Sequence, residues 1–343
     1  MTRDTTVGGL CQGGGMHKST LGRTGREVGV VGQGCWQFGG DWGDVSDNAS
    51  MGVLHAAADA GVTFFDTADV YGDGHSEELV GRFLKERGSD DIMVATKLGR
   101  RAAPHTPEQF TRENLRAWTE RSRRLLGVDT IDLTQLHCPP TPVYSDGAVY
   151  DALDEMVEEG WLRAYGVSVE TVDEALTALE RPGVASIQII LNVFRRKPLE
   201  QVLPAAAAAG VGIIARVPLA SGLLTGKFTE DTTFAPEDHR TYNRHGEAFD
   251  QGETFSGVPY GVGVQAAREF ASIVPEGVTP AQFALRWIID QPGVSVVIPG
   301  ASRPEQAAAN AAAGSLPSLT DDQLAACERI YDDYIREYVH DRW

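Results

Sequence analysis

Residues 61–72 read GVTFFDTADVYG. Residues 62–65 are β-branched and aromatic with no helical period, which predicts a strand buried on both faces. Asp66 ends this strand, and Tyr71 follows five positions later among turn residues. A carboxylate at the tip of a buried strand is badly placed for stability and well placed for chemistry. We therefore expect the end of this strand to belong to a functional site.

Strands and helices alternate on both sides of this stretch. Nearly every predicted strand is followed by a helical segment, and the composition does not change between the two halves of the chain. The repeated strand–helix units predict an α/β fold. The expected architecture is a closed (β/α)8 TIM barrel that forms a single domain over residues 16–343. The predicted strands are residues 30–36, 62–65, 92–96, 131–136, 162–169, 187–191, 212–217 and 294–298.

An open doubly wound sheet is the alternative architecture. Sheets of that kind that bind dinucleotides carry the pattern G-x-G-x-x-G after the first strand, where a helix opens. Here Gly32 and Gly34 are followed by Gln37 at the third position, and no helix is predicted at that point. The pattern therefore favours the barrel.

Several segments have a predicted structure of their own. Residues 21–28 predict a small N-terminal hairpin that turns at Thr24-Gly25 and plugs one end of the barrel. Residues 228–260, after strand 7, form a long loop, and loops of that length in compact domains are usually lids or binding loops. Ser76 is expected to cap a helix after the second strand, and Thr320 to cap a closing helix.

The overall charge and the cysteines restrict the class of partner. The chain has 343 residues, a formal net charge of -18 and a sequence pI near 4.8. This charge works against binding a phosphate backbone, so we expect no nucleic acid. No apolar run approaches the roughly 20 residues of a membrane helix, so we expect no membrane partner.

The four cysteines are scattered, without a C-x-x-C pair or histidines at zinc spacing. This distribution predicts a reducing cytoplasmic location and no metal site. Residues 1–15 carry acid and glycine where a signal peptide would need a basic start and an apolar core, so we expect a flexible N-terminal extension.

The strand ends hold the candidate chemistry, because the active site of such a barrel lies at the C-terminal ends of its strands. Four residues there are ionisable: Asp66, Tyr71, Lys97 and His137. Each alone has an ordinary structural explanation, such as a turn cap or a satisfied histidine. Together they suggest that the Lys97 ammonium lowers the pKa of Tyr71 from its usual value of about 10. Asp66 would then keep the lysine charged, and His137 would orient a carbonyl group.

The same residues resemble a known family. The segments Asp66-Thr67-Ala68-Asp69-Val70-Tyr71-Gly72, Thr96-Lys97 and Gln135-Leu136-His137 resemble the aldo-keto reductase family, over about residues 21–310. The resemblance implies that the four residues are the catalytic tetrad of an NADP(H)-dependent oxidoreductase that reduces an aldehyde or ketone, or oxidises the matching alcohol. The partner would be a small-molecule carbonyl or alcohol, and Tyr71 would exchange the proton. Some members of the family instead act as nicotinamide-binding regulatory subunits with little turnover, which is the alternative function.

The resemblance also implies cofactor contacts. Ser168 and Gln188 would hold the nicotinamide carboxamide, and Arg216 would stack on the ring where the family usually has an aromatic residue. The implied contacts along the phosphates and ribose are Pro218, Leu219, Ser221, Gly222 and Leu224. The implied contacts at the adenosine 2′-phosphate are Gly300, Ser302, Arg303, Gln306 and Asn310.

The last loop supports phosphate binding on its own residues. Pro304 opens a predicted helix there, and helix N-termini bind phosphate through free amides. The family often has Lys at the position of Gly300 and Arg at that of Gln306, and both cations are missing here. We therefore expect NADP, with NAD possible. Trp36 and Trp42 match substrate-pocket aromatics, although core packing explains Trp36 almost as well.

Overall fold

The computed structural model describes residues 15–40, 42, 45–88 and 91–343. Eight parallel strands form one sheet, and each strand hydrogen-bonds to the next one along the chain. Two isolated parallel bridges, Val31 to Val297 and Gly34 to Gly300, join the first of these strands to the last. The predicted (β/α)8 barrel is confirmed. Apart from Gly15, the predicted N-terminal extension lies outside the described residues.

The strands follow the predicted order with shifted ends. A two-stranded antiparallel hairpin, β1 (Lys18–Thr20) and β2 (Glu27–Gly29), precedes the barrel. The barrel strands are β3 (Gln33–Gly34), β4 (Phe64–Asp66), β5 (Met93–Leu98), β6 (Leu133–His137), β7 (Tyr165–Ser168), β8 (Val184–Ile190), β9 (Gly212–Arg216) and β10 (Val294–Val297).

Helices surround the barrel and most of them connect consecutive strands. Thr111, Thr171, Thr279 and Thr320 each accept a hydrogen bond at a helix N-terminus, which satisfies an amide that the helix leaves free. The helices are α1 (Asp47–Asp59), α2 (His75–Arg87), α3 (Arg112–Leu126), α4 (Gly147–Glu158), α5 (Val172–Leu179), α6 (Val202–Ala209), α7 (His239–Tyr242), α8 (Tyr260–Ser272), α9 (Pro280–Ile289), α10 (Pro304–Ala312), α11 (Asp321–Ile330) and α12 (Arg336–Val339), with a π-helical turn (Tyr331–Ile335) before α12.

Two predicted boundaries are wrong for identifiable reasons. The first strand is short because residues Trp36–Gly39 form a 3₁₀ turn after Gly34. Ser76 does not cap α2, which begins at His75 after Gly74. The Ser76 hydroxyl is instead buried and donates to the Cys35 carbonyl at 3.0 Å, so it ties the helix to the first barrel strand.

The hairpin closes the N-terminal end of the barrel, as predicted. A Cβ on Gly22 would lie 2.0 Å from the amide nitrogen of Gly212 and 2.4 Å from the carbonyl oxygen of Ala185, at the starts of β9 and β8. The Arg23 guanidinium donates to the carbonyls of Val184 at 3.1 Å and Ala209 at 2.8 Å. Polar contacts therefore anchor the rim of the plug.

The barrel interior beneath the plug is apolar. Hairpin residues Leu21 and Val28 are fully buried against inward-facing residues of the strands. The strand residues of this cluster are Phe64, Met93, Ala95, Leu133, Ile214 and Val296, together with Ile298 just past β10. Burial of this apolar surface is the main stabilising contribution at this end.

The long loop after β9 contains α7 and two 3₁₀ turns, Gln251–Glu253 and Phe255–Gly257. The C-terminal residue packs on it: Trp343 Nε1 donates to Asp250 Oδ1 at 3.0 Å. Over the described part of the chain, no helix combines the length and apolarity that crossing a membrane requires.

Candidate active site

The four ionisable strand-end residues meet at the C-terminal mouth of the barrel. Lys97 Nζ donates to Asp66 Oδ1, to the Thr67 carbonyl at 2.9 Å and to the Tyr71 hydroxyl at 3.2 Å. The tyrosine and His137 rings meet edge to face, with centroids 5.9 Å apart. The predicted pairing of Asp66 with Lys97 is therefore present, and both side chains are almost completely buried.

The strand register explains why these residues converge. Lys97 pairs with Gln135 across β5 and β6, and His137 pairs with Ser168 across β6 and β7. Neighbouring strand ends thus bring side chains that are distant in sequence to one rim. Tyr71 comes from the turn after β4, where Gly72 and Asp73 have φ of 59° and 52°. This tight turn directs the phenol back over Lys97.

The second oxygen of Asp66 is also bound. It accepts hydrogen bonds from Gln188 Nε2 at 2.8 Å and from Gln135 Nε2 at 3.1 Å. Gln188 therefore supports the Asp66 carboxylate, in addition to the cofactor contact implied for it. Since both carboxylate oxygens are fixed, the position of the Lys97 ammonium is fixed as well.

The pKa of Tyr71 differs from the expectation. Burial raises this pKa to about 12, and the Lys97 ammonium offsets only part of the increase. Burial alone would lower the pKa of Lys97, but Asp66 and Tyr71 reverse that effect and raise it. The phenol is thus protonated and the lysine charged near neutral pH. The expected lowering was wrong because the sequence does not show how strongly the packing around the phenol desolvates it.

His137 is neutral and contacts an arginine that the sequence reasoning missed. Burial, together with Arg100, Lys97 and Arg216, lowers its pKa well below the ordinary value. Arg100 Nη1 lies 3.3 Å from His137 Nε2. Because a guanidinium only donates, Nε2 accepts and the proton resides on Nδ1. Among the described residues, Nδ1 has no hydrogen-bond partner.

A cavity of about 380 Å³ opens beside the tetrad. Tyr71, His137 and Asp66 form part of its wall, and Lys97 lies behind them. Other predicted site residues on the wall are Trp36, Trp42, Gln188, Arg216, Pro218, Leu219, Ser221, Gly222, Gly300, Ser302 and Gln306. The structure thus brings most of the predicted cofactor and substrate residues to one space.

Four predicted cofactor residues are not part of this wall. Ser168 is buried, with its hydroxyl 3.4 Å from Cys138 Sγ, and Leu224 is fully buried. Asn310 donates to the Gly300 carbonyl at 3.2 Å, which holds the last loop. Arg303 is exposed at the start of α10. Their implied contacts stay predictions.

Arg216 is held in a buried ion network. Its Nη2 lies 2.9 Å from Glu170 Oε2 and donates to the Val169 carbonyl at 3.1 Å, and its Nη1 lies 3.7 Å from Glu253 Oε1. The guanidinium therefore lies against carboxylates on the cavity wall. The contact with Glu253 could not be predicted, because Glu253 belongs to the long loop and is distant from Arg216 in sequence. The implied stacking of Arg216 on the cofactor ring stays a prediction.

The segment after β9 has a strained backbone. Val217, Ala220 and Ser221 have φ of 51°, 47° and 54°. Such conformations cost roughly 1–3 kcal/mol each in residues with a Cβ and occur mostly at functional sites. The Ser221 hydroxyl donates to the Glu253 carbonyl at 3.1 Å and accepts from the Phe255 amide at 3.0 Å. The long loop thus fixes this segment along the cavity.

The last loop lacks the two family cations, and other side chains fill their places. A Cβ on Gly300 would lie 2.0 Å from Gln37 Nε2, so the Gln37 side chain packs directly on this glycine. Gln306 Oε1 accepts from the Ser302 amide at 2.9 Å and from its hydroxyl at 3.0 Å. These contacts pre-order the turn that opens α10.

Aromatic residues form the opposite part of the mouth. Trp36 stacks on Tyr71 with ring centroids 6.1 Å apart and meets Trp42 edge to face at 5.5 Å. His239, from α7 in the long loop, lies 4.8 Å from the Trp36 ring and 4.3 Å from the Trp42 ring. The sequence predicted that the long loop is a lid or binding loop, but it did not indicate which of its residues contact the site. The contacts of His239 and Glu253 were therefore not predicted.

Comparisons with known proteins agree with the fold. The sequence model described as Aldo/keto reductase family matches residues 30–332. An aldo-keto reductase of Bacillus subtilis is 33% identical over 297 residues, which cover 85% of this chain and 86% of that protein. A probable voltage-gated potassium channel subunit beta of Arabidopsis thaliana is 30% identical and covers 92% of this chain and 96% of its own.

Solved structures give the same result. A glycerol dehydrogenase of Gluconobacter oxydans has a TM-score of 0.75 and 30% identity, and covers 95% of this chain and 97% of its own. An aldo-keto reductase of Klebsiella pneumoniae, solved in complex with NADPH, has a TM-score of 0.69 and 24% identity, covers 92% of this chain and 96% of its own, and shows the likeness of fold. With the family match spanning most of its length, the chain belongs to the aldo/keto reductase family.

Proposed function

We propose that this protein is an NADP(H)-dependent oxidoreductase that reduces an aldehyde or ketone, or oxidises the matching alcohol, with Tyr71 as proton donor and acceptor. The observation that carries the proposal is the Tyr71 hydroxyl, 3.2 Å from the Lys97 ammonium on the wall of a cavity of about 380 Å³. A protonated phenol with a fixed cation beside it is suited to general acid catalysis.

The residues of the cavity fit a nicotinamide dinucleotide. Two residues of the wall, His137 and Gln37, each have a buried polar atom, Nδ1 and Oε1, without a hydrogen-bond partner among the described residues. The strained segment 217–222 lines one side, and the turn that opens α10 offers backbone amides at a helix N-terminus. When bound, the cofactor would supply or accept the hydride. Gln188 and Ser221 would hold it from the wall.

The tetrad residues divide the remaining work. Tyr71 is protonated at neutral pH and can give its proton to a developing alkoxide. The Lys97 nitrogen lies 3.2 Å from the Tyr71 hydroxyl, where a positive charge stabilises the phenolate that results. Asp66 and Tyr71 raise the pKa of this lysine, so it carries that charge. His137 is on the cavity wall and stays neutral, so it can orient the carbonyl without adding charge.

NADP is the preferred cofactor in this proposal. Ser302 is on the cavity wall and Arg303 is exposed beside it, which supports the contacts with a 2′-phosphate that we propose for them. Position 300 is Gly and position 306 is Gln, so two cations that would favour a 2′-phosphate are missing, and NAD is the alternative cofactor. The solved Klebsiella pneumoniae relative contains NADPH.

A binding and turnover experiment tests the proposal. Wild-type protein is titrated with NADPH and with NADH by fluorescence, and then assayed with NADPH and a panel of aldehydes and ketones. We expect saturable NADPH binding and carbonyl-dependent oxidation of NADPH. An Arg82→Gln variant, changed on the exposed face of α2, serves as a control and should match the wild type. Failure to bind either dinucleotide would contradict the proposal.

A nicotinamide-binding regulatory subunit is the second candidate. The similarity to the Arabidopsis thaliana protein named as a probable channel subunit favours it. Both candidates predict NADPH binding, so turnover separates them. Tight NADPH binding with turnover no faster than that of a Tyr71→Phe variant would favour the subunit.

A further inference from the structure

Trp343 occupies a slot that joins the barrel to the long loop. Its indole ring is buried, and the guanidinium carbon of Arg195 lies 4.0 Å from the ring centre. Its Nε1 donates to Asp250 Oδ1 at 3.0 Å. A Cβ on Gly257 would lie 2.3 Å from Trp343 Cη2, and a Cβ on Gly252 would lie 2.0 Å from Arg195 Nη1. The slot therefore exists only because both positions lack a side chain.

The indole ring also provides an interaction for a buried charge. Arg195 is 2% exposed, and among the described residues its Nε and Nη1 have no hydrogen-bond partner. Its Nη2 donates to the Glu170 carbonyl at 2.5 Å. An aromatic face attracts a guanidinium, most strongly where water is excluded. The contact with Arg195 therefore favours Trp343 inside the slot.

The part of the long loop that the indole contacts is strained. It consists of two 3₁₀ turns, the paired turns, which are Gln251–Glu253 and Phe255–Gly257. Phe255 and Ser256 have φ of 52° and 58°. Consecutive left-handed residues with a Cβ are costly and persist only where the surrounding structure imposes them. Asp250 contributes to this restraint, since its Oδ1 accepts both from Trp343 and from the Gly252 amide, at 3.0 and 2.7 Å.

The paired turns hold segment 217–222 on the cavity wall. The Ser221 hydroxyl donates to the Glu253 carbonyl at 3.1 Å and accepts from the Phe255 amide at 3.0 Å. Ser221 itself has φ of 54° and also needs a restraint to keep this conformation. Because both contacts use the backbone of the paired turns, a shift of the turns also shifts the segment.

A second route joins the slot to the same segment. Asn192 and Arg195 lie in one short turn after β8 and exchange backbone hydrogen bonds of 3.2 and 2.9 Å. Asn192 Nδ2 donates to Ser256 Oγ at 2.8 Å and to the Val217 carbonyl at 2.9 Å. Trp343 therefore completes a closed set of contacts that links the barrel, the paired turns and the strained segment.

We propose that Trp343 is a positioning residue for dinucleotide binding, because it holds the paired turns in the arrangement that keeps segment 217–222 ready for the cofactor. This inference rests on the proposed function, in which the segment lies along the cofactor. It adds a residue that acts from outside the described cavity wall. Without the indole, the segment relaxes from its left-handed conformations in part of the molecules, and only the remaining fraction binds cofactor tightly.

Cofactor binding by Trp343→Ala tests this role. NADPH fluorescence gives the Kd, and displacement of NADPH by excess NADP in a stopped-flow instrument gives the dissociation rate. If the segment keeps its conformation in roughly a tenth of the molecules, the Kd rises about 10-fold. We expect this rise, with turnover at saturating NADPH within about 3-fold of the wild type, because saturating cofactor restores the bound conformation. A Kd equal to that of the wild type would overturn the inference.

Trp343→Phe separates the two interactions of the indole. It keeps an aromatic ring over Arg195 and loses the donor to Asp250. Its Kd for NADPH should therefore lie between those of the wild type and Trp343→Ala. If Trp343→Ala does not fold, Trp343→Phe replaces it, and an unchanged Kd in Trp343→Phe would then overturn the inference.

Trp161 offers a matched control. This residue lies just before β7, and the guanidinium carbons of Arg116 and Arg123 lie 4.5 and 4.7 Å from its ring centre. Trp161→Ala removes a comparable contact between an indole and arginine from the opposite end of the barrel, and should leave the Kd unchanged. An equal rise of the Kd in Trp161→Ala and Trp343→Ala would show a general loss of stability and would overturn the inference.

Limited trypsin digestion without cofactor tests the hold on the loop independently of the proposed function. Asn243 Nδ2 donates to Thr254 Oγ1 at 3.1 Å, which ties the nearby Arg240 and Arg244 to the paired turns. Cleavage at these arginines should be faster in Trp343→Ala than in the wild type or Trp161→Ala. The two failures differ. A wild type that binds no dinucleotide contradicts the proposed function, whereas equal cleavage of wild type and Trp343→Ala overturns the role of Trp343.

Discussion

The two ends of the barrel differ in the residues that they bury, which are apolar at one end and charged at the other. At the N-terminal end, the hairpin covers an apolar cluster of Leu21, Val28 and inward-facing strand residues. At the C-terminal end, the same strands terminate in buried ion pairs, a neutral histidine and the strained segment 217–222. The first arrangement stabilises the fold, and the second places buried charge beside a cavity. We therefore expect substitutions at the two ends to separate stability from activity.

Removal of the buried cation at the charged end should have the largest effect. Lys97→Met leaves the Asp66 carboxylate buried without its ion-pair partner, and loss of one member of such a pair costs roughly 3–5 kcal/mol. It also removes the group that stabilises the Tyr71 phenolate, so turnover should fall by roughly 10²- to 10⁴-fold. Urea unfolding and steady-state NADPH oxidation measure the two losses. A stable Lys97→Met variant with normal turnover would contradict the proposed difference between the two ends of the barrel.

A substitution at the sealed end should affect stability alone. Leu21 is fully buried between the hairpin and the barrel strands. Leu21→Ala should therefore lower the free energy of unfolding by about 2–5 kcal/mol. The kcat/KM of the folded fraction should stay within about 2-fold of the wild type, because the tetrad lies at the opposite end. Denaturant unfolding and kinetics at a permissive temperature check both values. A large loss of kcat/KM would show that the two ends are coupled.

The charged end should also make stability depend on pH. Burial, aided by Glu77 and opposed by Arg101, Arg121 and Lys97, raises the pKa of Asp69 to about 8. The folded state therefore holds this proton more tightly than the unfolded state, whose aspartate has a pKa of about 3.9.

The corresponding stability is present below about pH 4 and decreases as the pH rises through about 8. Urea midpoints at pH 5.5 and 8.5 should differ for the wild type. In Asp69→Asn, which cannot ionise, the difference should be smaller. An identical pH dependence in the two proteins would show that Asp69 is not the titrating group.

Relief of the backbone strain should have the smallest effect. Val217 has φ of 51°, a conformation that glycine adopts without the same penalty. Val217→Gly should therefore raise the free energy of unfolding by about 1 kcal/mol, minus the contribution of the lost side chain. We expect a reduced kcat/KM, because the segment that lines the cavity becomes less ordered. A stabilised variant with unchanged kinetics would indicate that the strain has no role in the site.

The sequence predicted what depends on local pattern. The apolar runs gave the eight strands, and the residues at their ends gave the tetrad, because a barrel gathers its strand ends at one rim. The helix after β4 was mispredicted at Ser76, since a serine that binds Cys35 across the fold has the same local signature as a cap. Contacts between distant segments could not be predicted: Arg100 and Glu253 are 153 positions apart.

The pKa of Tyr71 illustrates the same limit. The neighbouring lysine was predictable, and its effect has the expected sign. The packing of the Trp36 and His137 rings against the phenol was not predictable, and burial outweighs the effect of the lysine on the pKa. The balance between the two effects depends on packing, which the strand pattern does not contain.

The central claim is that Tyr71 delivers the proton, and single-turnover kinetics of Tyr71→Phe test it most directly. The variant is mixed with saturating NADPH and an aldehyde, and the loss of NADPH is followed in one turnover. We predict NADPH binding equal to that of the wild type and hydride transfer slower by at least about 100-fold, the usual contribution of a general acid. Hydride transfer at the wild-type rate would contradict the account.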